Sequence, residues 1–229
     1  ATCVIRAAAT NGTVAECGET VQVGRTLRTC AGTWIHPVSH ALHGGRVTFG
    51  TRHLHVATNS GFNATAQGFF GGLNVAYKNL AVTNWNGLGP GGGWLAASSY
   101  VTRGGSHGGR GGNVTDDKYL YGDPGAPVFP GSGGTSDGMA GGFGGGVIDI
   151  EVSGDAMLAG VLRANGNALG GGHYSGGSGG SVYLRANRFR AVGGAAVSAD
   201  GGVGGGAGGG GGGGRVAIWR RRDLTADYT

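Results

Sequence analysis

The chain has 229 residues, of which 57 are glycine and only 13% are charged, with a net charge of +5. Aromatic residues at 8% are not depleted, which excludes a highly charged disordered chain, and five prolines exclude collagen, which needs far more proline and glycine at every third position. No run of 18 apolar residues is present, so no membrane-spanning helix is expected.

Residues 1–43 read as a cysteine-bearing lead-in with short strands such as Thr20-Val21-Gln22-Val23. The opening Ala-Thr-Cys-Val, without methionine or a basic leader, points to a processed or excised piece of a longer polypeptide. All three cysteines, Cys3, Cys17 and Cys30, lie here. In an oxidising compartment two of them can cross-link this short segment and leave the third for a neighbouring chain or for residues upstream; three buried free thiols are the other reading. Their spacing lacks the C-x2-C pair of a compact zinc site. Three N-glycosylation sequons, at Asn11, Asn63 and Asn113, agree with a secreted or cell-surface location.

From residue 44 to 229 a repeating grammar takes over. The pattern Gly-Gly-x-(Val or Ile)-x-(Ile, Leu or Phe) occurs at Gly44–Phe49, Gly145–Ile150, Gly179–Leu184 and Gly213–Ile218, the last three 34 residues apart. Apolar and variable residues alternate within each copy, which predicts a strand with one buried face. A second strand follows in two repeats, ending in Ala164-Asn165-Gly166 and Ala199-Asp200-Gly201, where Asn or Asp before glycine suits a turn. Units this small cannot bury their own apolar faces and must stack. The natural stack is an all-β, parallel β-solenoid with Ile148, Val182 and Val216 in one interior column and Ile150, Leu184 and Ile218 in the next.

Glycine itself is uneven, with 16 in residues 1–100 and 41 in residues 101–229. The tracts at 170–180 and 201–214 are either solvated linker or ordered extended helices with three residues per turn, packed on neighbours of the same kind. Their recurrence between strands anchored in one core favours the ordered form.

Gly104-Gly105-Ser106-His107-Gly108-Gly109-Arg110-Gly111-Gly112, Tyr121-Gly122-Asp123-Pro124, Gly131-Ser132-Gly133-Gly134, the Gly-Gly-x-Val-x-Leu strands and Arg215-Val216-Ala217-Ile218 occur in that order. On these blocks, residues 71–219 resemble a glycine-rich repeat family of large secreted and cell-surface proteins of bacteria and protists. The resemblance implies a right-handed parallel β-helix with polyglycine-II-like extensions and a structural or adhesive role, and brings no catalytic residue.

Other chemistry finds weak footing. Gly176-Gly177-Ser178-Gly179-Gly180 matches the G-x-S-x-G nucleophile elbow, but without the strand-to-helix turn that the elbow requires. His53 and His55 share one face of a strand, near His36, His40 and His43 in sequence, and could bridge a divalent ion, but with Leu54 and Val56 facing inward, solvated histidines on an exposed face are the favoured reading. The twelve acids are dispersed, unlike the carboxylate clusters of polysaccharide-cleaving β-helices. Basic residues read as scattered, so nucleic acid is not an expected partner. The sequence therefore predicts a non-enzymatic extracellular building block, without metal or cofactor, that assembles with itself or with other structural chains. An adhesin presenting Trp85, Trp94 and Tyr174 to a surface glycan is the alternative.

Overall fold

A computed structural model describes residues 18–74, 83–95, 101–137, 140–170 and 172–221. Two parallel sheets dominate it. In the first, β1 (Gly18–Thr29), β3 (Arg46–Val56), β7 (Val147–Leu158), β9 (Ser181–Ala191) and β11 (Arg215–Arg220) lie side by side in chain order. In the second, β2 (Trp34–Ile35), β4 (Gly61–Asn63), β8 (Val161–Arg163) and β10 (Ala196–Ser198) do the same. Each strand of the first sheet up to β9 is followed by a short one of the second, so the chain adds a strand to each sheet in turn, an arrangement compatible with a β-solenoid. Between β4 and β7 the chain makes a lateral excursion holding a small antiparallel pair, β5 (Leu73–Asn74) and β6 (Thr83–Asn84). No α-helix occurs among the described residues.

The strands form because their alternating apolar residues can be buried together between the sheets. From the five-stranded sheet Phe49, Ile150 and Leu184 are fully buried, and from the four-stranded sheet Phe62 and Leu162 meet them. Phe49 and Phe62 pack edge to face with ring centres 5.2 Å apart. Each such side chain contributes about 1.5–3 kcal/mol by leaving water. The 34-residue spacing is the sheet register: Ile148 pairs with Val182 and Val182 with Val216, while Ile150 pairs with Leu184 and Leu184 with Ile218.

Two expectations need correction. Val216 is not interior, because β11 is the edge strand of its sheet and the four-stranded sheet ends at β10; its side chain is 46% exposed. Nor does a boundary fall at residue 43, since β1 pairs with β3 over most of its length and β2 pairs with β4. The described part of the lead-in is the first layer of both sheets.

Against the sheets lies a layer with almost no side chains, and residues 175–180 are its centre. The amides of Ser175 and Ser178 donate to Thr135 and Ser132, those of Gly176 and Gly179 to Gly209 and Gly212, and those of Gly177 and Gly180 to Asn167 and Ala164. Residues three apart thus address the same neighbour, as in an extended helix with three residues per turn. Carbonyls of the same segment accept from Gly142 and Gly145, from Gly105, and from Gly202. Six backbone segments therefore surround it. A Cβ on Gly177 would stand 2.1 Å from the Phe143 oxygen, and one on Gly142 2.0 Å from the Asn167 oxygen. Glycine is required there by close approach. The side chains of Ser175 and Ser178 fit because they satisfy partners inside the layer, Ser175 Oγ donating to Thr102 Oγ1 at 2.7 Å and Ser178 Oγ accepting from the Ser132 amide at 2.7 Å.

Candidate functional site

The outer face of the five-stranded sheet collects most of the chemistry in the molecule. Parallel pairing in register stacks like positions of successive strands into rows across the sheet. One row runs Thr20, Thr48, Asp149, Tyr183 and Ala217, and the next runs Gln22, Gly50, Glu151, Arg185 and Trp219. The register then shifts at one level in three successive pairings, between Val23 and Thr26, Thr51 and Leu54, and Val152 and Asp155. These aligned bulges place Arg25 and Arg52 on the surface and restart the alternation below. The last row reads Arg28, His55, Met157 and Arg190.

Charge on this face is organised by depth. Asp149 is fully buried and held by Arg46 at 2.8 Å and Arg185 at 3.0 Å, with Thr48 Oγ1 donating to it at 3.0 Å. Burying a carboxylate is costly unless it is paired and hydrogen-bonded, and the partners that do so here tie β3, β7 and β9 together. Arg185 also lies over the Tyr183 ring, 4.2 Å from its centre. Below the bulges Arg188 grips Asp155 through both carboxylate oxygens, and that hydrogen bonding keeps the Asp155 carboxyl below its ordinary range. Among the described residues, Arg25, Arg28, Arg52 and Arg190 have no carboxylate within ion-pair reach, and all four are exposed. The face as a whole carries the arginines 25, 28, 46, 52, 185, 188 and 190 against Asp149, Glu151 and Asp155. Basic residues that read as scattered along the sequence are gathered by the stacking of β1, β3 and β9.

A second constellation sits where the glycine layer meets β11. His107 is fully buried, stacked on Tyr121 with ring centres 4.5 Å apart, and its Nδ1 donates to the Gly179 carbonyl at 2.9 Å. Two residues before His107 the Gly105 amide donates to the carbonyl of Gly176, three residues before Gly179, so the imidazole stands in for a backbone donor of the layer. Burial, with Arg215 adding to it, lowers the His107 pKa to about 4. Tyr121 donates to the Pro130 carbonyl at 2.6 Å and contacts Ser132 Oγ at 2.8 Å, and Arg215 Nε donates to the Tyr121 carbonyl at 3.0 Å. These groups lock the layer to the last strand.

The residues singled out in the sequence are dispersed. Cys30 is exposed with a free thiol, whereas Cys3, Cys17 and Asn11 lie outside the described residues. Asn63 accepts from the Thr65 amide at 3.1 Å. Asn113, with φ of 64°, donates through its side-chain nitrogen to the Thr102 and Ala207 carbonyls, so this sequon nitrogen already has partners. His53 and His55 face outward while Leu54 and Val56 are buried. His40 and His43 stack at 4.7 Å, and desolvation together with His43 lowers the His40 pKa. No group of three or more His, Cys, Asp or Glu placed to hold a metal ion occurs among the described residues. The hydroxyl of Ser178, in the G-x-S-x-G match, is buried and engaged with the Ser132 backbone. Trp94 is covered by Arg103 and Tyr119, and Trp85 and Tyr174 are half-buried, so these aromatics form no common exposed platform. Trp219, 55% exposed with its Nε1 donating to the Gly125 carbonyl, carried no motif in the sequence; its alternation with Ile218 was the available sign. No known protein family, characterised protein or solved structure matches the chain.

Proposed function

We propose that the chain is a structural building block of an extracellular assembly such as a filament, sheath, wall layer or appendage. In this reading it is a right-handed parallel β-solenoid buttressed by a polyglycine II layer, akin to the glycine-rich repeat proteins of secreted and cell-surface type that it resembles. The observation that carries the reading is the addition of strands to both sheets in chain order, up to an edge at β11 that has no further strand among the described residues. Val216 and Trp219 remain about half exposed there, and an unpaired strand edge is a template for a further strand. Stacking of β1 of a second copy on that edge would continue the parallel sheet and cover the exposed side chains. The exposed Cys30 thiol supports the further expectation of covalent fixation between chains in an oxidising compartment. The reading assigns the protein no catalysis and no metal.

Electron microscopy and sedimentation of concentrated protein test this. Stacked subunits give fibres with an axial repeat of about 24 Å, five strands at the usual interstrand spacing. A chain that stays monomeric at high concentration refutes the assembly role.

A further inference from the structure

The uncompensated arginines point to a ligand independently of whether the chain assembles. We propose that the outer face of the five-stranded sheet, below and across its aligned bulges, binds an acidic polysaccharide laid across the strands. Arg28 and Arg190 stand at the two ends of a row that contains no carboxylate. Three interstrand steps put them about 14 Å apart. Arg25 and Arg52 rise from the bulge level beside that row. All four are exposed. A sheet that needed arginine only for its own stability would pair each one, as it does Arg46, Arg185 and Arg188.

The surroundings select the kind of polyanion. A single-stranded nucleic acid needs open aromatic faces on which successive bases stack. Beside these arginines no aromatic face is open: Tyr183 lies under Arg185, Phe189 packs against the core, and the exposed ring of this face, Trp219, stands on β11, on the other side of the bulges from the Arg28–Arg190 row. What the face offers instead are Gln22, Thr26 and Ser153, all exposed, suited to sugar hydroxyls between charged groups. Guanidinium forks match carboxylate and sulfate oxygens in pairs. A linear polymer bearing one such group every sugar or two can meet the row at both ends at once.

The test uses the full chain with dextran sulfate, polygalacturonate and a single-stranded oligothymidine of matched charge, titrated at about 0.1 M salt, where charges beyond roughly 10 Å are screened. Binding to one or both polysaccharides that weakens with salt, at least tenfold tighter than to the oligothymidine, is expected. The double variant Arg28→Ala and Arg190→Ala loses at least tenfold in affinity, whereas Arg163→Ala, an exposed arginine on β8 in the other sheet, changes it less than twofold. The double variant Arg28→Lys and Arg190→Lys keeps the charge but loses the paired contacts, so it binds between the parent and the alanine variant, and it controls for folding. Failure to bind either polysaccharide, equal or tighter binding of the oligothymidine, or an equal loss in Arg163→Ala would overturn the proposal. A monomer that binds as described leaves it standing and refutes assembly alone.

Discussion

The sheet pair and the glycine layer are ordered by opposite means. Between the sheets, order comes from side chains: Phe49, Phe62, Ile150, Leu162 and Leu184 fill the space and are removed from water. In the layer, order comes from their absence. Segments 102–105, 175–180 and 209–212 approach until a single added carbon would strike a carbonyl, and every amide of 175–180, with those of Gly104, Gly105, Gly209, Gly211 and Gly212, finds a backbone acceptor. Hydrogen bonds of this kind are worth about 1 kcal/mol each, while ordering a residue costs about 1–2 kcal/mol. The layer therefore cannot stand alone and depends on the sheets to deliver its segments side by side. In this molecule low complexity in sequence accompanies dense packing in space.

The two regions should respond differently to substitution. Phe62→Ala, in the sheet core, is expected to destabilise by about 4 kcal/mol by leaving a cavity, measured as the shift in the denaturant midpoint. Gly177→Ala is expected to cost about 3 kcal/mol for the contrary reason, because one methyl has no room. Gly213→Ala, where an added Cβ meets nothing within 4 Å, stays within about 0.5 kcal/mol of the parent. Equal losses at Gly177 and Gly213 would mean that the layer is not packed as described. Ile218→Ala should cost only about 1 kcal/mol against about 3 for Leu184→Ala, since the two are register partners and only Leu184 is fully buried.

Acid probes the joint between the regions. The His107 pKa is lowered from an ordinary 6.5 to about 4. Between those values the unfolded chain holds the extra proton, so the stabilisation is complete above about pH 6.5 and is lost as pH falls toward 4, by up to about 3 kcal/mol. Thermal unfolding followed from pH 7 to pH 4 should show this decline, and His107→Gln, which keeps a side-chain donor for Gly179, should flatten it. Asp155 is separable, because its lowered pKa costs stability as pH falls through its ordinary value of 3.8 and below, beneath most of the window in which His107 acts.

The repeat strands were legible because their alternation and 34-residue spacing are local properties, and register partners such as Ile150 and Leu184 followed directly. The first layer was not, since β1 lacks the Gly-Gly-x-Val opening and shows polar Gln22, Arg25 and Arg28 on its outer side. The gathering of arginines was also hidden: Arg28 and Arg190 are far apart in sequence and meet on one face only through β3 and β7. One sign in the glycine tracts went unread. Ser175 and Ser178 are three positions apart, the period of the extended segment they occupy, and mark the direction along which a small side chain fits.

Amide hydrogen exchange across residues 208–214 tests the ordered layer most directly. Gly209, Gly211, Gly212 and Gly214 donate to Thr102, Gly202, Gly105 and Ala199, whereas Gly210 and Gly213 have no acceptor among the described residues. The account predicts slow exchange at the first four and fast exchange at the other two, a three-residue rhythm. Uniformly fast exchange through the tract, at the rate of an unfolded chain, would contradict it.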